Sequence, residues 1–68
     1  MSAPTTADIR KALARREREW TRDLVEAQRT WGAADPGTQL RARKLSGCLR
    51  AMAEGRQMTR AEFAGDVA

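Results

Sequence analysis

An all-α fold is predicted, and three observations carry the prediction. Larger apolar residues recur at helical spacing, helix-start and helix-stop signals divide the chain into three pieces, and period-two alternation is absent. The expected architecture is an antiparallel helical hairpin with a short C-terminal helical turn. The long helix spans about 7–31, the second about 38–54 and the turn about 60–64.

The first helix opens behind Pro4-Thr5-Thr6, where Thr5 and Asp8 have capping-box spacing. No Gly or Pro interrupts the chain from there to Trp31, and Gly32 is placed to take the left-handed position beyond the helix end. Ile9, Leu13, Trp20, Leu24, Ala27 and Trp31 fall within about 60° of arc, a narrow apolar stripe. Ile9, Trp20 and Trp31 repeat every eleven residues, which keeps the stripe almost parallel to the helix axis.

Ala33-Ala34-Asp35-Pro36-Gly37 reads as a turn, with Pro36 unable to continue a helix. In the second helix Ala42, Leu45, Leu49, Met52 and Arg56 alternate three and four apart, a heptad-like seam with Cys48 beside it. Gly47 points away from that seam and costs about 1 kcal/mol relative to alanine. It is either tolerated or the mark of another backbone coming close. Gly55 stops the helix. Thr59 and Glu62 then have capping-box spacing, and Met58 with Phe63 stands at the positions of a hydrophobic staple.

The 68 residues form one small domain, with 1–5 and 66–68 expected to be disordered tails. Thirteen of the 28 hydrophobic residues are alanine, and a chain of this size buries only ~60% of its unfolded-state surface. A lone hairpin would sit near zero net stability. Self-association is therefore expected, most simply as a two-fold dimer forming a four-helix bundle. Ile9, Leu13, Trp20, Leu24, Leu45, Cys48, Leu49 and Met52 are the expected core and oligomer interface.

Composition excludes several chemistries. One cysteine and no histidine cannot furnish a zinc site, and the imidazole-dependent nucleophile systems are equally out of reach. Phosphate-cradling glycine patterns are absent, so no cofactor, no metal and no enzymatic activity are expected. No apolar run or signal segment is present, and a lone Cys48 suits a reducing compartment. A cytoplasmic protein with no membrane role is the expectation.

Charge is the remaining signal: eleven Arg and two Lys against nine acids, a net charge of +4. Along the first helix Arg15–Glu19, Arg22–Glu26 and Glu26–Arg29 have the spacing of self-neutralising pairs, worth tenths of a kcal/mol each. In the second, Arg41, Arg43 and Lys44 crowd the first two turns, Arg50 follows, and only Glu54 answers them. Cations there oppose the helix dipole and would suit a phosphate or an acidic partner, while a solubilising surface explains them equally well. Trp31, at a helix end, is the expected anchor for a partner, and Arg16 is placed to snorkel, to stack on Trp20 or to meet an acid.

These readings converge on a non-enzymatic regulator, inhibitor or adaptor that binds an acidic protein through Arg41, Arg43, Lys44, Arg50 and Trp31. The alternative is a basic nucleic-acid-binding regulator using the same patch, although no DNA-reading motif is legible. A structural subunit of a larger assembly is the third.

Overall fold

A computed structural model describes residues 2–66 of the chain, and among them it has three helices and no strand. Helix α1 runs Thr6–Trp31, α2 runs Pro36–Glu54 and α3 runs Arg60–Ala64. Packing α1 against α2 gives an elongated hairpin, 43 × 23 × 20 Å overall, with α3 folded back onto α2. The two long helices are antiparallel. At the bend, the Thr38 hydroxyl donates to the Ala27 carbonyl, and at the open end Arg10 Nε donates to the Met52 carbonyl.

Both expected capping boxes form. Thr5 Oγ1 accepts from the Asp8 amide at 3.1 Å while Asp8 accepts in return, and Thr59 with Glu62 does the same at α3. Thr5 caps α1, and at the end of α3 the Asp66 amide bonds the Ala61 carbonyl at 2.8 Å. Of the expected tails, Met1, Val67 and Ala68 lie outside the described residues.

The bend differs from its expected form. α2 begins two residues early, at Pro36, because proline fits the first helical position, where no intrahelical N–H bond is required. Asp35 is the N-cap, accepting from the amides of Gly37 and Thr38. Gly32 has φ of 89° with ψ of 159°, an extended conformation open only to glycine rather than the left-handed helical one.

The heptad-like seam is also rotated. The face of α2 that meets α1 carries Thr38, Cys48 and Ala51 fully buried, with Leu45 and Met52 half-buried beside them. Ala42 is exposed and Leu49 is 47% exposed, so Leu49 is not a core residue of the single chain. Small residues on the contact line let the helix backbones approach, and the leucines move to its margin. Leu13, Cys48, Ala51 and Met58 form the centre of the core, with Ile9, Trp20 and Met52 packed against it. Leu24 is half-buried. Cys48 Sγ donates to the Leu13 carbonyl at 3.5 Å, and burial pushes its thiol pKa up.

The rotation follows from α3, which gives α2 a second partner. A Cβ on Gly47 would lie 2.8 Å from Glu62 Cβ and 3.3 Å from Glu62 Cα, so the bare glycine is what seats α3. Glu62, 5% exposed, then lands on a prepared set of donors. Arg56 grips it with Nη1 at 2.8 Å and Nη2 at 3.0 Å, and the Thr59 amide donates at 2.8 Å. Arg56 also binds Glu54 through Nε at 3.1 Å. Arg56 thus ties the end of α2 to α3. The Arg56 guanidinium, and after it the Thr59 backbone, hold the Glu62 carboxyl down at about 2.

Two outcomes test this anchorage. Gly47→Ala raises helix propensity by about 1 kcal/mol but overpacks a closed contact, which typically costs about 1–3 kcal/mol. The expected net result is a lower Tm on thermal melting followed by circular dichroism; a raised Tm would mean that α3 is not seated there. A carboxyl with a depressed folded-state pKa stabilises fully above its ordinary value of 4.5 and loses that contribution as pH falls towards about 2. Glu62→Gln is therefore expected to lower Tm at pH 7 and to flatten the fall in Tm across that acidic window.

Candidate functional site

The four cations expected to form one patch divide into two groups, because successive side chains on a helix leave it in different directions. Arg41 and Lys44, three residues apart, turn towards α1. The Arg41 guanidinium lies 5.2 Å from the centroid of Trp31, and Lys44 Nζ lies 5.1 Å from that of Trp20. Arg43 points elsewhere and donates through Nε to the Gly65 carbonyl at 2.9 Å, closing the C-terminus of α3. Arg50, seven residues on, is exposed on the Arg43 side of α2.

Arg41 and Lys44 border a groove along the bend half of the hairpin. A cleft of about 220 Å³ is lined by Trp20, Asp23, Leu40, Arg41 and Lys44. A hollow of about 200 Å³ shares Asp23 and Arg41 with it and is also lined by Glu26 and Trp31. Trp31 is 56% exposed, and Leu40 is also exposed. The Trp20 ring is far more enclosed. Phe63 meets it edge-on at 6.0 Å, and Arg16 lies 5.6 Å from its centroid and 4.5 Å from that of Phe63. Of the roles open to Arg16, stacking is realised, with Nη1 also 3.6 Å from Met58 Sδ.

The groove has two electrical sides. Its α1 wall presents Asp23 and Glu26, and its α2 wall presents Arg41 and Lys44. Among the described residues, the ion pairs closer than 4.0 Å are those of Arg56 with Glu54 and Glu62. The expected pairs along α1 do not close at that distance, since exposed side chains in water gain too little from one another to hold a fixed geometry. Among the described residues, all four groove charges therefore lack an ion partner within that range. Sequence reasoning missed the acidic wall. Asp23 and Glu26 are three apart on the flank of the apolar stripe, a spacing that placed them together.

The α2 N-terminus is capped from within the chain. Asp35 already occupies the amides of Gly37 and Thr38, and Arg41 Nη1 turns back to the Gly37 carbonyl at 3.0 Å. A second cleft, of about 290 Å³, lies between α1 and the α2–α3 link, near Ile9, Arg16, Met58 and Phe63. Among the described residues no cluster of three His, Cys, Asp or Glu gathers to hold a metal, and no helix is long and apolar enough to cross a membrane. The chemistry the groove offers is adhesion: aromatic and aliphatic surface framed by charges of both signs. Comparison with protein-family models, curated proteins and solved structures finds no match to this chain.

The two tryptophans are expected to separate in a stability assay. Trp31→Ala removes an exposed ring and one surface cation–π contact, a loss of about 0.5–1 kcal/mol. Trp20→Ala opens the junction of all three helices and is expected to cost several times more in urea unfolding. Equal losses would contradict the placement of Trp31 on the exposed surface and Trp20 at the junction of the helices.

Proposed function

We propose that this chain is a small, non-enzymatic binding protein, acting as a regulator, inhibitor or adaptor, whose groove grips an acidic, apolar helical segment of another protein. The observation that carries this reading is the placement of Arg41 and Lys44 on the faces of Trp31 and Trp20, beside exposed Leu40 and, among the described residues, without a carboxylate within 4.0 Å. A cation held against an aromatic face is partly ordered before a ligand arrives, which reduces the entropy lost on binding. Tryptophan and arginine are also the side chains that most often dominate the energy of protein interfaces.

Self-association into a four-helix bundle belongs to the same reading. Val25, Trp31, Leu40, Leu49 and Phe63 all remain exposed on the single chain, apolar surface that association would cover. Cys48, free and buried, suits a reducing cytoplasm. The nucleic-acid alternative draws less support, because Arg43 is committed to α3 and the carboxylates of Asp23 and Glu26 border the cations that remain. A continuous phosphate backbone would meet both signs of charge at once, whereas a helical segment can carry its carboxylates on the Arg41 and Lys44 side alone.

Trp20 and Trp31 are the only tryptophans, and the chain has no tyrosine, so intrinsic fluorescence reads the groove directly. Titration with a synthetic amphipathic peptide of Glu and Leu is expected to shift the emission saturably, at lower concentration than the Lys and Leu counterpart. Arg41→Glu with Lys44→Glu is expected to weaken the acidic peptide at least tenfold, about 1.4 kcal/mol. An equal response to both peptides, or none to the acidic one, would refute the reading.

A further inference from the structure

We infer that the helix this groove accepts is bipolar: apolar along one stripe, acidic along the flank that meets α2 and basic along the flank that meets α1. The inference rests on the reading of the groove given above and names the chemistry of its occupant.

The two walls call for opposite charges. Arg41 and Lys44 are three residues apart on α2, and Asp23 and Glu26 are three apart on α1. Residues at that spacing share one side of a helix, about 4.5 Å apart along its axis. Each wall therefore presents a short row of like charge. Asp23 lines one cleft with both cations, and Glu26 lines the adjoining hollow with Asp23 and Arg41. Among the described residues, neither cation has a carboxylate within 4.0 Å, so both rows are left for an occupant to satisfy.

A helix seated between the walls faces both rows at once. Its own side chains three or four residues apart line up with each of them. Glu or Asp on the α2 flank meets Arg41 and Lys44, whereas the same residues on the α1 flank stand against Asp23 and Glu26. Like charges brought together at an interface cost affinity, so the acidic wall discriminates against a uniformly acidic helix. Lys or Arg on that flank turns the repulsion into attraction. Between the flanks, Leu40 and the exposed ring of Trp31 offer apolar contact to the stripe. Trp20 and Trp31 lie eleven residues apart on α1, a length of about 16 Å that takes about three turns of a bound helix.

Peptides of fixed composition test the pattern. Two Trp-free peptides of about 18 residues, long enough to hold a helix, carry the same Leu stripe and equal numbers of Glu and Lys. In the bipolar peptide Glu fills one flank and Lys the other, and in the mixed peptide each flank carries both. A third peptide carries Glu on both flanks. Followed by tryptophan emission, the bipolar peptide is expected to bind at least fivefold more tightly than either of the others. The D23N/E26Q variant changes two exposed residues and neutralises the α1 wall. With it, the uniformly acidic peptide is expected to gain affinity and the bipolar one to lose it, until the two bind alike.

Equal binding of the bipolar and mixed peptides overturns the proposal, as does a bipolar preference that survives D23N/E26Q. The uniformly acidic peptide separates this failure from failure of the groove itself. A chain that binds it, and gains nothing from the bipolar pattern, loses the two-sided recognition and keeps the binding site. A chain that takes none of the three, its groove filled by a second copy or by another part of the chain, loses both.

Discussion

The contact between Gly47 and Glu62 governs how the rest of the molecule is arranged. Without a side chain at Gly47, the backbone of α3 can approach α2 closely enough for the Glu62 carboxylate to reach Arg56 and the Thr59 amide. A carboxylate taken out of water is tolerable only with such donors, and here each oxygen is accounted for. Once α3 is seated, Met58 is drawn into the core beside Cys48 and Ala51, and Phe63 is delivered to the edge of Trp20. A five-residue helix has no stability of its own. It persists because it is held at both ends, by its capping box and by the bond from Arg43 to Gly65.

Seating α3 also sets the orientation of α2. A helix with one neighbour can turn its largest apolar residues to that neighbour, as the Leu45, Leu49 and Met52 pattern implies. A helix with two neighbours must divide its circumference, and here α1 receives the line of Thr38, Cys48 and Ala51. Arg41 and Lys44 then stand at the rim of the α1 contact, where tryptophan faces are within reach. The groove is in this sense a by-product of where α3 docks, although α3 contributes little to its walls.

Local signals in the sequence were the reliable ones. Both capping boxes, the glycine stops after Glu54 and Ala64, and the burial of Leu13, Ala27 and Cys48 follow from spacing along a single segment. Gly47 was legible as a possible close approach, but its partner was not, because nothing local connects it to Glu62, fifteen residues away. Pro36 was read as a terminator when the same fixed φ serves equally well as an initiator. At the site, Trp31 is exposed and Arg41 and Lys44 are half-buried against tryptophan faces, whereas Arg43, though exposed, is tied to α3. Charge runs along one helix suggest a patch; only the positions of neighbouring helices decide which of those charges face together.

The sealed position of Cys48 gives the molecule an internal clock. With no surface of its own and its sulfur turned to the Leu13 carbonyl, the thiol meets an alkylating reagent only while α1 and α2 are apart. Because the chain has a single cysteine, each modified molecule records one such separation. When closing is much faster than modification, the labelling rate divided by that of an unstructured thiol gives the fraction of time the hairpin spends open. The chain thus reports its own breathing without an added probe.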